Sequence, residues 1–329
     1  MEAPAMRYAA FVVLLLCSAC GFFDRKNKED DTPGAITPGM AERVETYCAL
    51  SKPAYEARRW VVDRCDGSGF TSLYALACPG NVATLANFQD SSGKLYRDEA
   101  HTCWVGPDDP ANDSAAESSK DMVLMRTVAA FDLKDTAWFS SFLPFVKANN
   151  FQFCEGDDAA TTASRCILTP DLYKLMVDAE KALEGESVVA GAEEPAKEGD
   201  GLQLAKHGFE GHLEVQKIRL KGRVYGGITD SEKDKLRAYA EREPGNGLYQ
   251  AVAYRYGAAS HGAVVAALED PRWPMGKLPN SREHFCDTYL FSRDMEKGGG
   301  VNPDWLPCPD SEPEEYSGTD YGFAVYVLR

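Results

Sequence analysis

Three aspartates sit at the starts of the most apolar stretches of the chain. Asp66 precedes residues 67–78, Asp121 lies in the polar head of residues 118–131, and Asp320 leads residues 319–329. Asn246 holds the same position before residues 247–257. If these stretches are parallel helices, their starts gather at one end and the acids meet there. Two such carboxylates could serve as acid and base in glycosidic cleavage, one of them with its pKa raised by burial. Asp66, Asp121 and Asp320 are therefore the candidate catalytic residues. The plainer use of the same residues is structural, since Asp and Asn cap helices and negative charge is favoured at helix N-termini.

Arginines supply the complementary charge. Arg126 and Arg255 fall inside strongly apolar stretches, where a guanidinium needs an acidic partner or an anionic ligand. Arg97 and Trp104 lie in a loop-rich region, residues 89–119, together with His101. These four, Arg97, Arg126, Arg255 and Trp104, are the candidate substrate-binding residues. Asp121 is the expected partner of Arg126 or Arg255. Ser260-His261 has the residue types of a hydrolase, but no GxSxG elbow surrounds it, so Ser260 reads as a helix cap. Beyond Cys20 the chain has no CxxC pair, it has no HExxH, and His207 and His212 are five apart. That spacing does not predict a metal site, and no cofactor is expected.

The elements that would position these residues are helical. Residues 122–131 are apolar nearly all the way round, as a buried helix must be. Residues 67–78, 246–257 and 319–329 repeat that plan. Amphipathic stretches lie between them. Thr37-Pro38 opens one, with Val44, Tyr47 and Leu50 on its face and Pro53 expected after its end. Residues 81–88 read as a short partner helix. Residues 135–149 put Trp138, Phe139, Phe142, Phe145 and Val146 on one stripe, which Pro144 should kink or end. Thr169-Pro170 opens a helix that Gly185 closes. Residues 209–224 favour helix over strand, with Phe209, Leu213, Leu220 and Val224 on one face. Thr229 and Glu232 form a capping box, Asn246 and Ser260 lead two further helices, and Ser281 another. The prediction is an all-α fold of about a dozen helices packed as antiparallel hairpins, arranged as an α/α toroid or as two helical domains.

Composition bounds the function. The 329 residues carry 35 basic and 51 acidic side chains, a formal charge of −16, with 44% hydrophobic residues. Such a chain builds a core and repels nucleic-acid phosphates and anionic lipid surfaces. At the N-terminus Arg7 precedes an apolar run, residues 8–16, too short for the roughly 20 residues that cross a bilayer, and small residues follow it. The sequence Leu16-Cys17-Ser18-Ala19-Cys20-Gly21 resembles a bacterial lipobox, although Cys17 stands where that family usually has leucine. The resemblance implies lipidation of Cys20 and, with Gly21 rather than aspartate following, the outer membrane of a Gram-negative envelope. The expected layout is a lipoprotein signal (1–19), a flexible tether (20–38), a helical domain or first half of a toroid (39–184), a linker (185–201) and a second helical part (202–329).

Export also reads the cysteines. Eight remain beyond the signal and Cys20: Cys48, Cys65, Cys78, Cys103, Cys154, Cys166, Cys286 and Cys308. An even count in an exported chain predicts disulfides, with Cys154–Cys166 and Cys286–Cys308 the shortest loops. In architecture the plan resembles helical-toroid glycoside hydrolases and polysaccharide lyases, which implies carboxylate chemistry on a polysaccharide. Residues 246–271 resemble a single tetratricopeptide helix pair, which implies an interaction surface. The leading expectation is an envelope lipoprotein that touches the membrane only through its anchor and acts as a structural or interaction module, its partner an envelope protein or a polysaccharide. A carbohydrate-active enzyme is the alternative.

Overall fold

A computed structural model describes residues 35–56, 67–79, 82–102, 116–190, 204, 208–269 and 319–329. The chain is all-α, with eleven α-helices, no β-sheet and two disulfides among the described residues. The helices are α1 (Pro38–Glu56), α2 (Gly67–Ala77), α3 (Lys120–Leu133), α4 (Thr136–Ala148), α5 (Ala159–Arg165), α6 (Pro170–Leu183), α7 (Gly208–Tyr225), α8 (Asp230–Arg242), α9 (Gly247–Arg255), α10 (His261–Leu268) and α11 (Thr319–Val327). No described helix is long and apolar enough to cross a membrane.

Local chemistry sets most of the helix starts. Thr37, Thr169, Asn246 and Ser260 each accept a hydrogen bond from the backbone N–H three residues on. Thr229 and Glu232 form the full capping box of α8. Such caps satisfy N–H groups that lack an intrahelical partner. Gly185, φ +84°, ends α6 in the left-handed region that glycine tolerates.

Several boundaries differ from the sequence reading. The helix of α1 runs through Pro53 to Glu56, and α4 runs through Pro144 to Ala148. A proline removes one intrahelical bond, and in α4 the burial of Trp138, Phe139, Phe142 and Val146 outweighs that loss, at roughly 1.5–3 kcal/mol for each large apolar side chain. Residues Val82–Phe88 form a 3₁₀ helix. The short helix α5 was not anticipated. The expected helix from Ser281 lies outside the described residues.

The four apolar stretches are α2, α3, α9 and α11, and they pack in series: α3 against α2, α2 against α11, α11 against α9. α7 touches both α3 and α9 and so joins the two ends of the series. Small residues permit the closest approaches. A Cβ on Gly69 of α2 would stand 2.9 Å from Met125 Sδ and 3.6 Å from Met122 Cα of α3. A Cβ on Gly322 of α11 would stand 2.6 Å from the Cβ of Ala77, the last residue of α2.

Cys154 pairs with Cys166 as expected, around α5, and Cys48 pairs with Cys78 to tie α1 to the end of α2. Cys65, Cys103, Cys286 and Cys308 lie outside the described residues. Chain-entropy arguments give the 30-residue Cys48–Cys78 separation roughly 3.5 kcal/mol and the 12-residue Cys154–Cys166 separation about 3 kcal/mol. Replacing each pair by serines should lower stability by about those amounts in urea unfolding, with the Cys48/Cys78 replacement the costlier. Four of the cysteines should resist thiol labelling in denatured, unreduced protein.

Candidate functional site

The candidate acids do not form one cluster. Gly69, at the start of α2, lies against Met122 at the start of α3, so those two helix starts are neighbours. Gly322, in the first turn of α11, lies instead against Ala77 at the far end of α2. Eight residues of helix separate Gly69 from Ala77, about 12 Å at 1.5 Å per residue. The backbone of Asp320 is therefore at the opposite end of α2 from Asp121, and the expected convergence of Asp66, Asp121 and Asp320 is corrected. Asp66 itself lies outside the described residues, as do Trp104 and Cys20. Asp121 is also not the cap of α3. Ser119 occupies that position, and its side chain makes no capping hydrogen bond.

Arg126 and Arg97 both hold hydrogen-bond partners. Arg126 is 2% exposed, and its Nη2 donates to Asp135 Oδ2 at 2.5 Å. Its guanidinium also lies 4.9 Å from the Trp138 ring centroid. Burial lowers the Arg126 pKa, and the Asp135 carboxylate works against that shift. The requirement for an acid was sound; the expected partner, Asp121, was wrong. Asp135 follows the turn after α3, whose Lys134 adopts φ +58°, and it also accepts from Trp138 N–H as the cap of α4. Arg97 is likewise buried, donating from Nε to the Ala116 carbonyl at 2.8 Å and from Nη2 to the Ser118 carbonyl at 3.4 Å. Arg255, half-buried, closes α9. Ser260 is the cap of α10, and His261 hydrogen-bonds the Ala35 carbonyl.

A polar cluster lies where α3, α7, α11 and the end of α9 meet. The Asp132 carboxylate is fully buried and accepts from Arg219 Nη2 at 2.6 Å, with Arg223 Nε at 3.7 Å. The Arg219 guanidinium stacks 5.4 Å from the Phe323 centroid and 5.6 Å from that of Tyr326. Its backbone carbonyl accepts from Tyr256 Oη at 3.1 Å. Burial disfavours the charge on Arg219, but Asp132 outweighs it and the pKa is raised. One turn below, His212 and Gln216 are buried and hydrogen-bonded to each other. Burial pushes His212 down to about 3. The sequence reading missed Asp132, Asp135, His212, Gln216 and Arg219. The available signal was the positional one, acids immediately after an apolar helix that itself contains an arginine.

A second cluster joins α7, α8 and α9. Buried Glu243 accepts from Arg242 Nη2 at 2.9 Å and from Asn246 Nδ2 at 3.0 Å, while Glu214 accepts from Lys235 at 2.5 Å and from the Tyr239 hydroxyl. Most of the polar atoms in this cluster are paired, as buried polar groups generally are. Among the described residues, no group of three or more His, Cys, Asp or Glu side chains is arranged to hold a metal ion. Comparison with protein-family models, curated proteins and solved structures finds no match.

Asp135→Asn should cost roughly 3–5 kcal/mol in urea unfolding, the usual penalty for stranding a buried charge. A loss under about 1 kcal/mol, typical of an exposed ion pair, would reject the reading of Arg126 and Asp135 as a buried pair. For His212 the folded pKa lies below the ordinary value of 6.5, so the unfolded chain takes up the proton first. Its contribution is complete above about pH 6.5 and declines as pH falls. The stability gap between the parent and His212→Gln should shrink by roughly 1.4 kcal/mol per pH unit between pH 6 and 4.

Proposed function

We propose that the chain is an exported, lipid-anchored protein of the bacterial cell envelope, held to the membrane by Cys20 and acting as a structural or interaction module. The observation that carries this reading is the pair of disulfides, Cys48–Cys78 and Cys154–Cys166, one of them tying a helix that follows the N-terminal tether. Such bonds form and persist in oxidising compartments outside the cytosol. The Leu16–Cys20 segment supplies the matching signal and anchor, and Gly21 favours the outer membrane. A module role accords with the fate of the candidate site residues. Arg97 and Arg126 hold backbone and carboxylate partners, and the backbones of Asp121 and Asp320 lie at opposite ends of α2. The module faces an aqueous compartment, and its surface charge of one prevailing sign keeps it apart from nucleic acid. Its partner class is an envelope protein or polysaccharide.

Expression of the full chain with radiolabelled fatty acid, followed by membrane fractionation and mass spectrometry of the mature N-terminus, tests the anchor. A lipid-modified Cys20 in the outer-membrane fraction is expected. Cys20→Ala should abolish labelling and release the protein from that fraction. An unmodified mature Cys20, or a retained leader, would overturn the reading.

A further inference from the structure

The start of α1 is fastened along α10, and most of the fastening meets at Glu269. The Glu269 carboxylate accepts from the Thr37 hydroxyl. Its backbone carbonyl accepts from Arg43 Nη2 at 3.3 Å, and the Leu268 carbonyl accepts from Arg43 Nη1 at 3.3 Å. A Cβ on Gly39 would stand 2.9 Å from Glu269 Oε1, so the two segments approach closely there. At the start of α10, His261 Nε2 donates to the Ala35 carbonyl at 3.1 Å. The Thr37 hydroxyl has a second duty, since it also accepts from the Met40 N–H as the cap of α1.

Beyond these polar contacts this half of α1 is thinly buried. Met40, Val44 and Tyr47, four and three residues apart, make one buried stripe, while Glu42, Glu45 and Thr46 are exposed. The helix packs chiefly against α11. By contrast, ten consecutive residues of α2, Ser68–Ala77, and nine of α3, Met122–Ala130, are buried. The free energy of a local opening rises with the apolar area it exposes, so the first half of α1 opens well before the interior helices. A covalent bond marks where this thin stretch ends. Cys48 follows Tyr47 directly and is bonded to Cys78, at the end of α2.

We infer that residues 35–47 form a strap that releases from α10 and α11 as one unit, with Glu269 as its latch and the Cys48–Cys78 bond as its stop. The release is concerted because Met40, Val44 and Tyr47 lie on one face of one helix, and because the hydroxyl that engages the latch also caps that helix. Once released, the strap spans about 45 Å when extended. In a chain anchored at Cys20 it would lengthen the link between the lipid and the core. That consequence rests on the proposed anchor; the strap itself does not.

The test is residue-resolved hydrogen exchange on the full chain in detergent. Amides from Met40 to Tyr47 should exchange at one common rate, faster than those of α2 and α3. Glu269→Ala should speed them about ten-fold, the value of one hydrogen bond to a charged group, and leave α3 unchanged. With Cys48 and Cys78 both replaced by serine, the fast stretch should run past residue 48 to the end of α1. Protection of Met40–Tyr47 equal to that of α2 and α3 would overturn the strap. So would protection that rises residue by residue from Met40, which is ordinary end fraying, or a Glu269→Ala effect shared by every helix. A fast stretch that ends at Tyr47 with or without the disulfide would overturn the stop. Should the serine variant fail to fold, exchange in the parent after addition of a reductant answers the same question. Cys20→Ala, which removes the proposed anchor, should leave each of these exchange results in place.

Discussion

The packing of the described helices depends on one buried charge pair. Asp132 ends an apolar helix with its carboxylate wholly out of water, and Arg219 meets it from the middle of α7. Either charge alone in that position would cost several kcal/mol. The pair is tolerable only when α3 and α7 hold one register; the Phe323 and Tyr326 rings of α11 flank the guanidinium, and the Tyr256 hydroxyl at the end of α9 holds the Arg219 backbone carbonyl. Four helices that share greasy faces could slide past one another at little cost, because apolar contact is non-directional. A hydrogen-bonded pair at 2.6 Å cannot slide.

The same logic recurs at each end of α3. Arg126 is tied forward to Asp135, which also starts α4, so one carboxylate fixes a side chain and a helix start together. Arg97 is tied to the carbonyls that lead into α3, so the guanidinium substitutes for a sheet or turn partner where the chain is irregular. The two disulfides act on different ground. They reduce the freedom of the unfolded chain and close the places where packing is thin: Cys48–Cys78 joins α1 to the small outer cluster of Tyr47, Phe70 and Tyr74, and Cys154–Cys166 spans the short α5.

Most of the fold could be read from the chain because its signals are local. Caps at Thr169, Thr229, Asn246 and Ser260 are decided by a side chain and an N–H three residues away. All-round apolarity identified α2, α3, α9 and α11 as interior helices, and they are the ones that pack in series. What could not be read is tertiary. Nothing local tells Arg126 to choose Asp135 over Asp121, because the choice is made by the left-handed turn at Lys134 that folds α4 back. Nor does any local signal give helix direction: the convergence of acids required α11 to start beside α3, and the Gly322–Ala77 contact sets its start at the other end of α2. Pro53 misled for a related reason, since a proline's cost is local and fixed while what offsets it is set by the neighbours.

α7 shows where reading by polarity fails. Residues 209–224 gave a face of Phe209, Leu213, Leu220 and Val224 that left Val215 and Ile218 pointing away, so the helix looked poorly formed. In the fold Val215, Ile218, Leu220 and Val224 are all buried, and so are His212, Gln216 and Arg219. The helix is enclosed on most sides, and the polar residues that blur its pattern are themselves interior groups, each placed against a specific partner: Gln216 against His212, Arg219 against Asp132. A buried polar residue is indistinguishable in sequence from an exposed one, because burial is decided by a partner that may lie many positions away, here 87 between Arg219 and Asp132. The residues that most strongly specify how this protein packs are thus the ones that most weaken its amphipathic signal.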